Sequence, residues 1–447
     1  MSGPERLDVL VLGGGMAGAL AALAARDAGA RVALVRRAPG ATALSSGAVC
    51  VAPDLGALSG EPLAWRRGPV ESARRLAAVR RDHPYAAVGE GLARLADALA
   101  FAARELAPAL APPLDRPRFL PTVHGTALPC ALCQASMEAG DLLAVRGPLA
   151  VVGFRGHLGF DAALVASGLE RYRARGGPEI ALAELDLPAP ELAQARPHEL
   201  ARALEAPGVA EELGARLRDV LPAGVGAALL PPVLGLAPEA RVAARIAAAA
   251  GLPVAETTSD VPSVPGLRLQ RALEARLAAA GVEVVTGTAV APGGPDAPLE
   301  VGGRALVAAA WVLATGRFVG GGIARRGALV ETVLGLEVQA AEGREAGVHL
   351  SVRPAASLTL RDRRAPQPLL SAGLRVDAAL RPVDALGAPA HERLFAAGAV
   401  IGGHEQATDG TGLGVAILTG WLAGRGAAHA ALGGERDVVV RPAGGAS

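Results

Sequence analysis

Gly13-Gly14-Gly15-Met16-Ala17-Gly18 is a GxGxxG run placed between an apolar stretch and a helical one. In such a run the first glycine permits a tight turn, the second lets the backbone approach a pyrophosphate, and the third allows a helix to pack closely on a strand. Free N–H groups and a partial positive charge at the helix start then attract the phosphate. Gly13, Gly15, Met16 and Gly18 are therefore candidates for cofactor binding. The acid that should follow at the end of the second strand, to hold ribose hydroxyls, is replaced by Arg36 and Arg37. Three outcomes compete: the arginines hold a 2′-phosphate as in NADP sites, the adenosine half is held differently, or the ligand is a mononucleotide.

Two further clusters could face a flavin. Ser45-Ser46-Gly47, in the loop after the second strand, offers small hydroxyls to a ring or its phosphate. Near the other end, Gly398, Gly402 and Gly403 follow an apolar strand, and Gly410, Gly412 and Gly414 open an apolar helix. A second helix N-terminus there would stabilise a reduced, anionic ring. Between these glycines lie His404, Glu405, Gln406 and Asp409. The unperturbed pKa of histidine, about 6.5, suits His404 to proton transfer beside a hydride-transfer centre. An exposed loop histidine is the plainer alternative.

The elements that must carry these residues follow from periodicity. Leu7–Leu12 reads as a buried strand, Met16–Ala28 as a helix ending at Gly29, and Arg31–Val35 as a second strand, making a β-α-β unit. Helical spacing recurs over Ser72–Arg81 and Val88–Leu106, after which five prolines between Pro108 and Pro121 suggest a boundary. Strand Leu149–Phe154 and helix Phe160–Arg173 fall in a segment read as an insert. From Leu267 a helix runs to Ala280, followed by strand Val282–Val285, a Gly-Pro hairpin near Pro292–Pro298 and strand Ala305–Ala314. That strand ends in Ala314-Thr315-Gly316, which adds Thr315 and Gly316 to the cofactor candidates. Leu394–Ala397 reads as a last parallel strand entering Gly398.

The expected fold class is α/β, a Rossmann-like FAD/NAD(P)-binding fold with a central parallel sheet, a βαβ start, a β-meander and an inserted α+β domain. Residues 1–115, 260–330 and 390–432 would form a discontinuous flavin-binding domain. Residues 116–259 would be the insert, 331–389 a smaller excursion or cap, and 433–447 a tail.

Composition excludes other classes. The 447 residues carry a net charge of only +1, so no global field favours nucleic acid. Every cation apart from histidine is arginine, because lysine is absent, which excludes a Walker A loop, a PLP Schiff base and a lysine general base. Three cysteines cannot supply the four thiolates of an iron–sulfur cluster, and Cys130-x-x-Cys133 lacks the second pair of a zinc site. The pair reads as incidental, and no metal site is expected. His83-Pro84-Tyr85, His157 and Asp161 have no metal-site spacing either. Glu5 and Asp8 before a short apolar run are unlike a signal peptide, and no apolar stretch reaches the roughly 20 residues that span a bilayer. A cytoplasmic protein is expected, held at any membrane by a partner.

In order and number, the motifs resemble the two-dinucleotide-binding-domain flavoproteins and, more closely, the B subunit of anaerobic glycerol-3-phosphate dehydrogenase. The resemblance runs through Leu12–Gly18, Ser45–Gly47, His83–Tyr85, Val152-Gly153, Phe160-Asp161 and Pro231–Leu236. It continues through Pro262–Gln270, Ala314–Phe318, Gly320–Gly322, Leu334–Leu336, Leu394–Gly398 and Gly402-Gly403. It implies a subunit that carries FMN, with FAD as the alternative. The partners would be a larger flavoprotein subunit and a membrane-bound iron–sulfur subunit at the inner face of the cell membrane. The implied reaction oxidises sn-glycerol 3-phosphate, a small phosphorylated polyol, to dihydroxyacetone phosphate. Electrons would pass to quinone, with fumarate or nitrate as terminal acceptor. Two other readings stand beside it: a non-catalytic assembly subunit of that complex, and an independent NADPH-dependent flavin oxidoreductase with Arg36 and Arg37 on the 2′-phosphate. Ala399 stands where an acid often follows the late glycine, so ribityl contacts must come from elsewhere. Arg268, Arg317, Arg325 and Arg326 could grip a phosphate, although surface arginines are the commoner case.

Overall fold

The computed structural model describes residues 5–52, 67–291, 293–339, 358–362 and 367–433. The expected tail beyond Gly433, much of the 331–389 excursion and Pro292 lie outside them. In chain order the strands are β1 Glu5–Leu12, β2 Val32–Arg36, β3 Arg118–Pro121, β4 Ala127–Cys130, β5 Leu149–Phe154, β6 Ile180–Leu185 and β7 Ala227–Leu230. They continue with β8 Val254–Glu256, β9 Glu283–Thr286, β10 Leu299–Val301, β11 Arg304–Leu313, β12 Ile323–Arg326, β13 Ala328–Glu331 and β14 Leu394–Ala396.

The main sheet runs β10-β11-β1-β2-β9, with β14 beside the second half of β11. Strands β1, β2, β9, β11 and β14 are parallel, and β10 alone is antiparallel. A parallel sheet is covered on both faces, so its strands are apolar throughout rather than alternating. Val9, Leu10 and Val11 of β1 and Trp311, Val312 and Leu313 of β11 are fully buried. The expected hairpin near Pro292–Pro298 is displaced. The reversal comes at Gly302-Gly303, both at positive φ, which joins β10 to β11. Paired positive φ is the geometry of a two-residue hairpin turn, and glycine adopts it without steric cost.

Helices Met16–Asp27 and Gly412–Leu432 lie side by side against this sheet. Their contact is close because Gly420 and Gly424 present bare backbone: a Cβ there would stand 2.4 Å from the Ala17 carbonyl oxygen and 2.2 Å from that of Ala21. The last helix is buried on most of its surface, including Ile417, Leu418 and Ala423. The last helix thus runs alongside the first in the same direction, Gly420 against Ala17 and Gly424 against Ala21.

A second sheet, β6-β5-β7-β8, is parallel throughout, with the antiparallel pair β3–β4 near it. Helices Ala162–Leu169, Pro197–Glu205, Val209–Val220 and Val242–Ala250 accompany it. It has apolar clusters of its own, one around Val152, Leu204, Leu213 and Ile246 and another around Phe119, Val151, Val165 and Leu229. The junction with the main sheet is polar. Arg268, from helix Val264–Ala279, reaches Glu256 at the end of β8 at 2.5 Å, and both side chains are buried.

Among the described residues no helix is long and apolar enough to cross a membrane, and none of their His, Cys, Asp and Glu side chains cluster as metal ligands.

Candidate functional site

A cavity of about 870 Å³ opens where the parallel strands of the main sheet end. Ligands of open α/β sheets bind at this edge, outside the carboxyl ends of the strands. Leu12 ends β1, Arg36 ends β2, Gly287 follows β9 and Ala314 follows β11, and all four line the cavity.

The glycine loop is built as its spacing demands. Gly13 has φ +125°, and a Cβ there would stand 2.0 Å from the Ala314 carbonyl oxygen. At Gly18 a Cβ would meet the Gly13 oxygen at 1.9 Å. These two glycines fit helix, loop and strand together. Gly15 is different, since its Cβ direction is open until the Thr42 hydroxyl at 3.4 Å. Gly15 is the N-cap of the first helix without a side-chain cap, and the Met16 N–H donates to Thr42 Oγ1 at 2.8 Å.

Of the residues singled out by sequence, Gly13, Gly15, Met16, Ser45, Thr315, Gly316, His404 and Gly412 line the cavity. Gly18, Ser46, Gly47, Gly398, Gly403 and Gly414 are not part of its lining. Each of these holds a loop or helix in place. The Gly47 carbonyl accepts from Gln134 Nε2 at 3.0 Å, and Ser46 turns its hydroxyl to the Ala48 carbonyl. The Gly398 N–H donates to Thr419 Oγ1 at 2.8 Å, while a Cβ at Gly403 would stand 1.7 Å from the Asp82 oxygen. Gly414 packs against Cys50 and Tyr85, where a Cβ would come within 2.7 Å of both.

Sequence reasoning missed other parts of the wall. The loop Arg37–Thr42 closes over the phosphate loop, with Gly40 against Gly15 closely enough that a Cβ would stand 2.3 Å from the Gly15 Cα. The Gly320–Gly322 turn folds back on Thr315 and Gly316. Gly287–Val290 and Leu370 also belong to it, and Glu405, Gln406 and Arg326, which the sequence did single out, complete the wall. The glycine triplet after Ala314-Thr315-Gly316 was a readable signal; the others come from loops with no periodicity.

Four arginines, Arg36, Arg37, Arg317 and Arg326, face the cavity, with Glu405 as the acid among its lining residues. That balance suits an anion such as a pyrophosphate. The missing ribose acid has a local counterpart, because Arg36 is ion-paired with Glu274 of helix Val264–Ala279. An arginine held this way is not free for a 2′-phosphate. Nor are Arg268 and Arg317 surface cations: Arg268 is 4% exposed and bound to Glu256, and Arg317 is buried enough that its pKa falls to about 10.

Several buried polar atoms around the cavity lack a hydrogen-bond partner within the protein: Thr315 Oγ1, Gln270 Oε1, Arg317 Nε and His404 Nδ1. Leaving such a group unpaired costs about 1–3 kcal/mol, so a polar ligand that satisfies them fits here. Together with the bare glycine cradle and the two helix N-termini, these residues fit a flavin nucleotide.

His404 is not the exposed histidine of the plainer alternative. It is 1% exposed, and burial, then Arg317 and His83, hold its pKa well below the usual value. His83 beside it is pushed down to about 3 by burial and by Arg80. His83 Nδ1 accepts the Tyr85 N–H at 3.1 Å, so Nε2 carries the ring proton and donates to Thr411 Oγ1 at 3.3 Å. Thr411 is the N-cap of the last helix. Both imidazoles are neutral at pH 7.

This makes folding acid-sensitive. Below pH 6.5 an unfolded chain protonates His83 while the folded chain does not, so stability falls as pH falls from 6.5 toward 3. The slope per histidine is about 1.4 kcal/mol per pH unit. Denaturant titrations of wild type and His83→Gln between pH 6 and 4 should differ in slope by about that amount. Equal slopes would show that His83 is not held neutral.

The cysteines form a buried group apart from the cavity wall. Cys50 and Cys130 have their sulfurs 3.3 Å apart, and burial pushes the Cys133 thiol up to about 12. Such thiols are unreactive, in keeping with an incidental Cys130-x-x-Cys133.

Comparison with known proteins identifies the family. The family described as FAD binding domain matches residues 8–415. The probable B subunit of an anaerobic glycerol-3-phosphate dehydrogenase of Halobacterium salinarum is 34% identical, over 95% of this chain and 98% of its own. The B subunit of the anaerobic glycerol-3-phosphate dehydrogenase of Pectobacterium carotovorum is 29% identical, over 93% and 96%. Among solved structures, the open form of a flavocytochrome c3 fumarate reductase is 14% identical with a TM-score of 0.41, over 96% of this chain and 79% of that one. The chain therefore belongs to the FAD binding domain family and, within the flavin-dependent oxidoreductases, to the family of B subunits of anaerobic glycerol-3-phosphate dehydrogenase.

Proposed function

We propose that this chain is the flavin-carrying subunit of a quinone-linked glycerol-3-phosphate dehydrogenase that oxidises sn-glycerol 3-phosphate to dihydroxyacetone phosphate. Its electrons go to quinone, and fumarate or nitrate serves as terminal acceptor. A larger flavoprotein subunit and a membrane-bound iron–sulfur subunit complete the complex and hold this chain at the inner face of the cell membrane. In this reading residues 116–259 form an insert in a discontinuous flavin domain of residues 1–115, 260–330 and 390–432, and 331–389 is a smaller excursion. The observation that carries the proposal is the arginine-lined cavity at the strand ends, on which both helix N-termini open.

When bound, the flavin supplies the hydride acceptor. Gly13, Gly15 and Met16 would hold its phosphate, and Thr315, Gly316, Ser45 and Gly412, on the same cavity wall, would hold the rest of it. The cavity continues past the phosphate loop to Arg36, Arg37 and Gly287–Val290. That reach favours FAD over the shorter FMN suggested by the missing ribose acid. His404, neutral and with Nδ1 unpaired, accepts the proton of the substrate hydroxyl. A dianionic phosphate nearby would offset the charge of Arg317 and raise the basicity of the ring.

Two measurements check this. Mass analysis of the released cofactor should give FAD, and FMN would overturn that assignment. Anaerobic sn-glycerol 3-phosphate should bleach the flavin band of the assembled complex; NADPH should not. A Cβ at Gly15 makes only ordinary contacts, with the Thr42 hydroxyl at 3.4 Å and the Gly40 Cα at 3.6 Å, so Gly15→Trp sets a large ring among cavity-lining residues without the backbone overlap of Gly13 or Gly18. It should abolish flavin retention and activity while leaving the melting temperature of the flavin-free protein in place. Full activity in Gly15→Trp would instead favour the reading of a non-catalytic assembly subunit.

A further inference from the structure

The segment 401–411, which carries His404 to the cavity, is held by backbone bonds from Gly402 and Gly403 to the Leu374 and Ser371 carbonyls, by the Gln367 N–H on Glu405 and by His83 on Thr411, and its own carbonyls are taken up by arginines from elsewhere in the chain. Arg317, just after β11, donates from Nη1 to the carbonyl of His404 at 3.0 Å and from Nη2 to that of Ile401 at 3.1 Å. Its Nη1 also reaches the Leu370 carbonyl. Arg80, at the end of helix Pro69–Val79, donates to the Gly403 carbonyl at 3.0 Å and pairs with Asp409 at 3.1 Å. Asp409 in turn accepts the Glu405 N–H at 2.8 Å. Three carbonyls and one carboxylate of the segment are thus gripped by two guanidiniums. No carboxylate salt-bridges Arg317 among the described residues; its bonds all go to carbonyls.

A planar guanidinium with several fixed donors suits this task, since it ties separated carbonyls into one geometry. A half-buried cation whose direct bonds all go to neutral carbonyls keeps part of its desolvation cost, which Glu405 and Asp409 only partly offset. We propose that Arg317 and Arg80 are positioning residues that clamp the 401–411 segment by its carbonyls and so fix the His404 imidazole at the cavity wall. The inference rests on the reading of His404 as the proton-transfer group, but it can fail separately from it.

The clamp has an electrostatic side. The charged and titratable groups acting on His404 are Arg317 after β11 and Arg80 and His83 from the helix-end segment, while Glu405 and Asp409 on its own loop act on Arg317, and Asp409 also pairs with Arg80. Arg317 and His83 depress the ring after burial does, Arg80 adds to them, and the Gly402 backbone works in the opposite sense. Removing Arg317 lets the ring protonate at higher pH. A neutral base is then lost on the acid side, and the acid limb of kcat/KM moves up in pH.

The test uses the flavin-loaded full-length chain with histidine-selective isotope labelling, and the assembled complex for kinetics. The His404 signal is assigned by its loss in His404→Gln. In Arg317→Met the His404 titration midpoint should rise by about one pH unit or more. In the same variant kcat should fall about tenfold or more, with KM for sn-glycerol 3-phosphate within about threefold. Arg317→Lys keeps the charge but cannot span the carbonyls, so it should hold the midpoint down while leaving kcat low. Should Arg317→Met not fold, Arg80→Gln gives the same readings with smaller shifts in the same direction. An unchanged midpoint and unchanged kcat in whichever variant folds overturn the clamp. If His404→Gln is fully active while Arg317→Met still moves the midpoint, the clamp stands and the proton-transfer reading falls.

Discussion

Gly13→Val should be severely damaging, costing about 4 kcal/mol or more and eliminating flavin retention. Two effects act at once. At φ +125° a side chain is strained whatever the space around it, a cost of about 1–3 kcal/mol. In addition, the Cβ would stand 2.0 Å from the Ala314 oxygen and 3.0 Å from the Thr315 nitrogen. Both atoms are backbone of the β11 end and cannot rotate away. The chain would have to part β1 from β11, where Leu12 and Leu313 are paired in register. Thermal unfolding and cofactor content should fall together. This separates Gly13 from Gly15, whose tryptophan variant loses cofactor with the fold intact. A Gly13→Val protein that melts with wild type and keeps its flavin would sink both the loop geometry and its assigned role.

The same contrast indicates how far the site was legible. The β-α-β start was readable because strand, turn and helix each follow from local spacing, and β1, helix Met16–Asp27 and β2 lie within two residues of expectation. Gly13 and Gly18 were readable because their glycines answer to a fixed geometry. The C-terminal glycines looked like cradle residues for the same reason. Yet Gly398, Gly403 and Gly414 serve close backbone packing against Ala17, Asp82 and Cys50, and only Gly412 faces the cavity. Composition does not distinguish a glycine that admits a ligand from one that admits another stretch of chain. Ser46 and Gly47 likewise lie off the cavity wall, while Ser45 reaches it.

His404 lines the cavity, but its burial was not legible in the sequence. It arises from Arg317, Arg80 and His83, which lie 87, 324 and 321 residues away in sequence and converge only in the fold. Arginine content misled in the other direction. In a chain whose Lys+Arg total of 44 is all arginine, Arg268 looked like one more surface cation, and periodicity could not reveal that it spans the junction of the two sheets.

Arg268→Ala should therefore be severe, and in a way that depends on pH. The Glu256 carboxylate is fully buried and is held by Arg268 at 2.5 Å, by Ser136 Oγ at 2.6 Å and by the Leu234 N–H at 3.0 Å. Removing the guanidinium leaves a charge of one sign in a dry junction, a loss of about 3–5 kcal/mol. The variant can recover part of that by protonating Glu256, whose folded pKa must then rise above the unfolded value of about 4.3. A raised acid binds a proton in the folded state that the unfolded state releases. The stability of Arg268→Ala should therefore decline as pH rises from about 4.3 through the new pKa, at up to about 1.4 kcal/mol per unit. Denaturant midpoints should show a larger deficit against wild type at pH 8 than at pH 5. The paired change Glu256→Leu with Arg268→Met replaces both charges by apolar groups and should recover most of the loss. A deficit below about 1 kcal/mol at both pH values, or one that the paired change does not relieve, would mean that the junction is held by its apolar contacts and that the ion pair is incidental.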